Sequence, residues 1–217
     1  MRSESEVHLI PAATHGRILV REARAAAARG LLVGCHGYME NARVQMERLV
    51  AIPGAEAWTL VSVQALHRFY RGRTEEVVAS WMTHEDREAA MADNVAYLDA
   101  ALDGVPHDGS TRIVFAGFSQ GVAMAFRAAV RGLRRPAGVI AIGGDVPPEL
   151  LADRAAAFPR ILLARATRDE WLTEAKFTAD VAALTARGVE LRPLVYEGTH
   201  EWNEAVSAAA GEFLAAL

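Results

Sequence analysis

The stretch 112–131 limits the folds open to this chain more than any other. Ile113–Ala116 is a short apolar run typical of a buried strand, Gly-Phe-Ser-Gln-Gly follows at 117–121, and Val122–Arg131 reads as a helix. A G-x-S-x-G motif between a strand and a helix is the context of a nucleophile elbow, a tight turn that raises a serine hydroxyl above the sheet edge. The alternative is a glycine-rich turn with a solvent-facing Ser119, so a base and an acid must be found elsewhere.

Strand-like and helix-like segments alternate along the chain, and this pattern predicts an α/β fold with a mostly parallel sheet and helices on both faces. The predicted strands are Val7–Pro11 and Arg17–Glu22 as an antiparallel start, Gly30–Cys35, Trp58–Val63, Ile113–Ala116, Pro136–Gly143, Arg160–Ala166 and Glu190–Tyr196. The predicted helices are one capped by Asn41, Glu75–Leu102 with a break near Thr83-His84, Val122–Arg131, Glu174–Arg187 ended by Gly188, and Glu204–Leu217, with an irregular stretch at Gln64–Arg73. Without repeats or linkers, we expect one domain over 1–217.

Composition excludes several classes of function. The chain has 217 residues, a net charge of −4 and a pI near 6.0, which argues against nucleic acid or an anionic membrane as the main partner. No apolar run approaches the roughly 18 residues of a membrane span, so stable membrane insertion is not expected. A single cysteine, Cys35, and a polar N-terminus without a signal core favour a cytoplasmic protein. No metal-ligand spacing or nucleotide-binding motif occurs, so neither a metal nor a cofactor is expected. The oligomeric state, a homodimer included, stays open.

Several polar residues follow predicted strands, where functional groups gather in an open α/β sheet. Ser119, Asp169 and His200 do so in the chain order Ser…Asp…His that α/β-hydrolases use. A serine hydroxyl needs an imidazole to accept its proton, and a carboxylate must fix the imidazole tautomer. His200 is favoured as the base among the seven histidines. Asp169 is favoured as the acid, with Asp145 as the alternative.

Acyl transfer also needs two N–H donors for the developing oxyanion. One candidate is the backbone N–H of Gln120, directly after the serine. The other is the backbone N–H of Tyr38, in the loop after the Gly30–Cys35 strand. His36 in the same loop is expected to shape it by hydrogen bonding and to transfer no proton.

Four segments together resemble the phospholipase/carboxylesterase family, the α/β-hydrolase group that includes acyl-protein thioesterases and small bacterial esterases. They are Cys35-His36-Gly37, Gly-Phe-Ser-Gln-Gly at 117–121, Asp169, and Thr199-His200-Glu201. Ser80-Trp81-Met82 is similar to the family's tryptophan-containing stretch beside the acyl pocket. The resemblance covers essentially the whole chain and implies an α/β-hydrolase fold without a large lid domain.

The sequence departs from the family pattern at two loops. After His-Gly the family usually has a small residue, a glycine and an acid, whereas this chain has Tyr38-Met39-Glu40; Val-Pro is also absent after Asp169. Tyr38, Met39 and Trp171 are therefore candidates to line a small or aromatic-accepting substrate pocket, with ordinary packing as the alternative. The resemblance implies Trp81 as a further pocket residue. The basic and aromatic cluster Arg68–Arg73 is either a pocket rim for an anionic or aromatic substrate or a solvated loop.

These residues together predict a serine carboxylester hydrolase that acts on small or medium acyl esters through an acyl-Ser119 intermediate. A thioesterase or acyltransferase with the same three residues is one alternative, because the acyl-enzyme is common to all three reactions. A non-catalytic receptor that binds a small ligand in the same pocket is another. The complete Ser/Asp/His set argues against the receptor, which has no need of all three side chains.

Overall fold

The computed structural model of the protein describes residues 6–24 and 28–217. Its nine strands are β1 Arg17–Arg21, β2 Leu31–Cys35, β3 Thr59–Gln64, β4 His67–Tyr70, β5 Val77–Ser80, β6 Ile113–Phe118, β7 Gly138–Ile142, β8 Arg160–Ala166 and β9 Leu191–Tyr196. The helices are α1 Ala42–Val50, α2 Arg87–Asp103, α3 Gln120–Arg131, α4 Pro148–Ala152, α5 Glu174–Ala186 and α6 Glu204–Ala215, with a 3₁₀ turn at Ala55–Ala57. No helix in the described ranges is long and apolar enough to cross a membrane.

Seven strands form one sheet in the order β1-β3-β2-β6-β7-β8-β9. All neighbours pair in parallel except β1, which runs antiparallel to β3. Parallel strands need crossover connections, so helices follow the strands along the chain and pack on the two faces of the sheet. The carboxyl ends of β2, β6, β7, β8 and β9 meet at one edge, where the loops that follow them can converge.

The core lies in two layers, one on each face of the sheet. On β6, Phe115 belongs to the layer beneath α2, α3 and α5, whereas Val114 belongs to the layer beneath α1 and α6. The same alternation holds on β2, where Val33 and Leu32 face opposite layers. Strands buried on both faces explain the continuous apolar runs in the sequence. The predicted mostly parallel sheet with helices on both faces is confirmed.

Two caps predicted from the sequence are confirmed. The side chain of Asn41 accepts hydrogen bonds from the N–H groups of Arg43 and Val44 and so begins α1. Gly188 follows α5 with φ +69°, the left-handed conformation that glycine adopts without steric cost.

The segment between β3 and α2 differs from the prediction. The expected helix over Glu75–Leu102 begins only at Arg87, and the expected irregular stretch at Gln64–Arg73 contains β4. β4 and β5 pair as an antiparallel hairpin, with Phe69 opposite Val78. The β-branched pair at 77–78 favours a strand, and cross-strand pairing outweighs the helical pattern of the sequence around it.

The predicted strand at Val7–Pro11 is wrong. These residues form no strand, and the side chains of Val7 and Ile10 are exposed. The antiparallel partner of β1 is β3 and not the N-terminal segment. Pro11 contributes no N–H to a ladder, which weakens any pairing there.

Beyond the sheet and its helices, the described residues form only the β4–β5 hairpin and connecting loops, so no large lid domain is present among them.

Candidate active site

Ser119 lies on a sharp turn between β6 and α3. Its backbone has φ 52° and ψ −121°, a conformation that is costly for a residue other than glycine, and its N–H donates to the carbonyl of Ile142 at 2.9 Å. A Cβ at Gly117 would lie 2.5 Å from the carbonyl oxygen of Gly121, and one at Gly121 would lie 2.1 Å from that of Cys35. Both glycines are therefore required by close backbone packing, as the elbow motif predicts.

The structure brings Ser119, His200 and Asp169 together. The Oγ of Ser119 lies 2.9 Å from Nε2 of His200. On the other side of the ring, Nδ1 lies 3.0 Å from Oδ2 and 3.1 Å from Oδ1 of Asp169. A carboxylate accepts hydrogen bonds, so it favours the tautomer with the proton on Nδ1. In that tautomer Nε2 is free to accept the proton of the serine hydroxyl.

The two candidate acids occupy different places. Asp169 follows β8, its side chain is fully buried, and its Oδ1 also accepts the N–H groups of Trp171 and Leu172, each at 2.9 Å. These bonds hold the carboxylate against His200. Asp145 follows β7 and lines the cavity in front of the serine, and no hydrogen bond joins it to His200 among the described residues. Of the two, Asp169 is the one placed to orient the imidazole.

His36 controls the loop that carries Tyr38. The N–H of Ala65 donates to Nε2 of His36 at 3.0 Å, so the ring proton lies on Nδ1, which donates to the carbonyl of Gly37 at 2.7 Å. Burial lowers the pKa of His36, which keeps the ring neutral, although the hydrogen bond to Gly37 acts in the opposite direction. The Gly37 carbonyl and the Tyr38 N–H belong to one trans peptide and point in opposite directions. His36 therefore turns the Tyr38 N–H away from itself.

Glu40 and Arg48 hold the same loop from its other side, and the sequence alone gives no signal of this pair. Oε2 of Glu40 accepts the N–H of Gly37 at 2.8 Å, and Arg48 binds both carboxylate oxygens at 2.6 Å. The guanidinium also lies 4.1 Å from the ring centroid of Phe118, within the range of a cation–π interaction. Burial raises the pKa of Glu40, but Arg48 outweighs it and the net shift is downward. The lowered pKa keeps Glu40 ionised, so it binds Arg48 as a carboxylate.

Tyr38 and Gln120 both line the cavity at Ser119. Within the described ranges, the backbone N–H of neither residue donates to another protein group. The N–H of Gln120 belongs to the first turn of α3, where the helix leaves its amide donors without partners. Two residues that line the cavity together with Ser119 therefore have backbone N–H groups without a protein acceptor.

The pocket candidates Met39 and Trp81 are not among the residues that line this cavity. Trp81 is fully buried, and its indole N–H donates to the carbonyl of His36 at 2.8 Å. Met39 lies outside the cavity lining in the left-handed region, with φ 58°, held by a 3.1 Å hydrogen bond from its N–H to the carbonyl of Ala79. A tryptophan at this point of the chain is thus a support of the loop, and not a wall of the pocket.

The side chain of Gln120 fixes the segment that contains Trp81. Its Oε1 accepts the N–H of Trp81 at 2.9 Å, and its Nε2 donates to the carbonyl of Met82 at 2.9 Å. Met82 is a cavity residue. The residue after the nucleophile therefore has two separate parts, a free backbone donor and a side chain that positions one wall of the pocket.

The cavity in front of Ser119 has a volume of about 680 Å³. Trp171 lines this cavity, is 71% exposed, and has its ring centroid 6.4 Å from that of His200. The Arg68–Arg73 cluster does not line the cavity. Arg68 donates to the carbonyl of His15, whereas Arg71 donates to the carbonyl of Met39 and forms an ion pair with Glu76. The other lining residues are Gly37, Glu40, Thr83, Arg87, Phe118, Ala123, Arg127, Gly143, Gly144, Leu172 and Lys176.

Another cavity, of about 800 Å³, lies at the opposite end of the sheet and contains none of these groups. Its lining comes from the loop around Pro106 and the turn at Leu133–Arg135. Among the described residues, no three histidine, cysteine or acidic side chains converge as metal ligands.

No protein-family model matches the sequence, and neither does any curated protein. The fold is similar to several solved structures. Esterase PE8 superimposes with a TM-score of 0.75 at 22% identity, covering 94% of this chain and 99% of the other. Zea mays acyl-protein thioesterase 2 gives 0.73 at 18% identity, covering 93% and 99%, and the Bacillus cereus carboxylesterase 0.70 at 16%, covering 93% and 94%. The chain therefore has the α/β-hydrolase fold over nearly its whole length.

Proposed function

We propose that the protein is a serine carboxylester hydrolase that works through an acyl-Ser119 intermediate. The observation that carries the proposal is the 2.9 Å contact between Ser119 Oγ and Nε2 of His200 at the mouth of a cavity. The second contact of the imidazole, to Asp169, gives it the tautomer that a general base requires. The similar solved structures include esterases and a thioesterase, which favours the same class of reaction.

In the first half of the reaction Ser119 attacks the ester carbonyl. As the new C–O bond forms, the hydroxyl proton passes to Nε2 of His200, and the imidazolium is stabilised by Asp169. The carbonyl oxygen becomes an oxyanion that the N–H groups of Tyr38 and Gln120 bind. The tetrahedral intermediate then collapses, the bond to the alcohol breaks, and His200 returns its proton to the leaving alkoxide.

In the second half a water molecule releases the acyl group. His200 accepts a proton from the water as its oxygen attacks the acyl-enzyme, and the same two N–H groups bind the second oxyanion. Collapse of this intermediate breaks the bond to Ser119 Oγ, which takes the proton back from His200. The products are the carboxylic acid and the alcohol, and the site returns to its starting state.

The substrates we propose are small or medium acyl esters. A cavity of about 680 Å³ is within the size range of small-molecule sites. Thioesters are the second candidate, since the same acyl-enzyme forms when the leaving atom is sulfur and one similar structure is an acyl-protein thioesterase. Rates on an oxygen ester and a thioester with the same acyl chain separate the two.

A fluorophosphonate probe tests the proposal because it labels only an activated serine. We expect wild type to be labelled and Ser119→Ala not to be. Ser110→Ala is the matched control, since Ser110 lies in the exposed turn before β6 at the other end of the sheet. Equal labelling of wild type and Ser119→Ala would rule out Ser119 as the nucleophile.

Hydrolysis of p-nitrophenyl esters of graded chain length gives a second test. We expect turnover by wild type and its loss in Ser119→Ala. A protein that is stabilised against heat by such esters but hydrolyses none of them would instead be a receptor on the hydrolase fold.

A further inference from the structure

One wall of the cavity is formed by α3, along which the lining extends from Ser119 to the buried cation Arg127. Ser119, Ala123 and Arg127 are spaced by four residues, so they lie on one face of the helix, and all three line the cavity. The distance along the helix axis between the first and the last is about 12 Å. Ala123, with its small side chain, leaves space between them.

Arg127 is almost completely buried, with 2% of its side chain exposed. Its Nε and one terminal nitrogen bind Oε1 of Glu149 at 2.8 and 2.7 Å. The other terminal nitrogen meets only the sulfur atoms of Met82 and Met124, at 3.8 and 3.9 Å. Sulfur is a weak acceptor, so this side of the guanidinium retains donor capacity. A buried cation with an unfilled donor side is an unusual wall for a pocket that accepts only apolar chains.

A second cation, Arg87, lies in the lining at the same end of the cavity. It is exposed at the start of α2 and makes no ion pair among the described residues. Burial lowers the pKa of Arg127, and the hydrogen bonds and charge of Glu149 raise it. The charges of Arg87 and Arg131 lower this pKa further, so both cations lie close enough to Arg127 to repel it. Counted over the cavity-lining residues, this end therefore carries two cations and no anion.

The other end of the cavity is different. Lys176 also lines the cavity, but the negative charges of Asp145 and Asp180 offset its positive charge. Asp180 interacts electrostatically with both Asp145 and Lys176. Glu40 is paired with Arg48. The excess of positive charge is thus confined to the wall formed by Arg87 and Arg127, in a protein whose net charge is −4.

Resting on the proposed function, we propose that this wall binds a carboxylate of the substrate, so that the preferred esters carry an anionic group remote from the scissile bond. Arginine side chains lean toward the N-terminus of their helix, which brings the guanidinium of Arg127 back toward Ser119. A linker of about three to five bonds between the ester carbonyl and the carboxylate spans the remaining gap. Arg87 supplies the charge that Glu149 does not compensate.

The test compares esters matched in length that differ in charge. Monoethyl glutarate is compared with ethyl pentanoate for a carboxylate on the acyl side, and 3-carboxypropyl acetate with butyl acetate for the alcohol side. Alkyl esters are chosen because an aryl ester with a nearby free carboxylate cleaves itself. We expect kcat/KM to be about tenfold higher for the charged member of at least one pair. Equal values within both pairs would overturn the inference while leaving the proposed function intact.

Variants connect any preference to the arginines. Arg87→Gln should lower the charged-to-neutral ratio about fivefold, and Arg87→Glu should lower it further. Arg131→Gln is the matched control, since it removes the same charge one helical turn beyond Arg127 but outside the cavity lining. A ratio that is unchanged in Arg87→Glu, or that falls equally in Arg131→Gln, would contradict the assignment.

A direct binding measurement covers the case in which none of these esters is hydrolysed. Calorimetry with free glutarate should show binding to Ser119→Ala and none after Arg87→Glu is added. The double variant Arg127→Met with Glu149→Gln removes the buried pair together and should also abolish binding; its fold is checked by its circular dichroism. Failure of glutarate to bind Ser119→Ala would overturn the inference.

Discussion

Arg48 binds both carboxylate oxygens of Glu40 at 2.6 Å, and through Glu40 it fixes the N–H of Gly37 at 2.8 Å. The carbonyl of the same glycine is held by His36 at 2.7 Å. Gly37 is therefore held at both its N–H and its carbonyl. The Tyr38 N–H shares a peptide with that carbonyl, so its orientation depends on these anchors.

Glu40→Gln should reduce kcat about tenfold and change KM little. Gln keeps one acceptor for Gly37 but loses the charge that Arg48 binds, so the loop loosens and the oxyanion donor is aimed less well. Loss of a whole donor costs about 10²- to 10³-fold in other acyl-transfer enzymes, so a loosened donor should cost less. Steady-state kinetics on a p-nitrophenyl ester measures both constants. A rise in KM at constant kcat would mean that the pair shapes the pocket and not the oxyanion site.

The identity of the acid is tested by replacing the two candidates separately. Asp169→Asn should lower kcat by about 10³- to 10⁴-fold, because an amide in contact with Nδ1 favours the wrong tautomer of His200. Asp145→Asn should change kcat by less than about tenfold, since no hydrogen bond links Asp145 to the imidazole. Rates for both variants on one neutral ester decide the question, and the reverse order would assign the role to Asp145.

Gln120→Ala should destabilise the protein by about 1–3 kcal/mol and raise KM several-fold. The substitution leaves the N–H of Trp81 and the carbonyl of Met82 without their partners. The backbone N–H of residue 120 remains in the variant, so kcat should change less than KM. Urea denaturation and steady-state kinetics provide the two readouts. A large loss of kcat at constant KM would show that the side chain acts on the reacting atoms.

The parts of the fold and site that could be predicted from the sequence are those coded by short segments. Buried parallel strands such as β2 read as continuous apolar runs, and Ser119, Asp169 and His200 follow strands whose carboxyl ends meet at one edge. The relation among those three residues follows from topology, so it needs no knowledge of side-chain packing.

The parts that could not be predicted depend on long-range contacts. β5 is defined by pairing with β4, and the surrounding sequence has a helical composition that gave no sign of the hairpin. The contact between Glu40 and Arg48 depends on the turn into α1, and sequence spacing alone does not show it. The direction of the Trp81 side chain is likewise not visible in the sequence, because a tryptophan next to a pocket can point into it or into the core, and only packing decides.

Asp180→Asn should stabilise the protein at neutral pH. Burial, followed by the charge of Asp145, raises the pKa of Asp180 to about 6, although its hydrogen bond from the N–H of Val146 and the charge of Lys176 act the other way. Because this folded-state pKa exceeds the unfolded value of 3.8, the folded protein binds more protons in between, and stability falls as pH rises from about 4 to 6. Asparagine keeps the acceptor without the charge, so the variant should be about 1–3 kcal/mol more stable than wild type above pH 6.5 and equal to it near pH 4. Urea denaturation across this range measures the difference, with the exposed Asp93→Asn as control; a difference independent of pH would contradict the prediction.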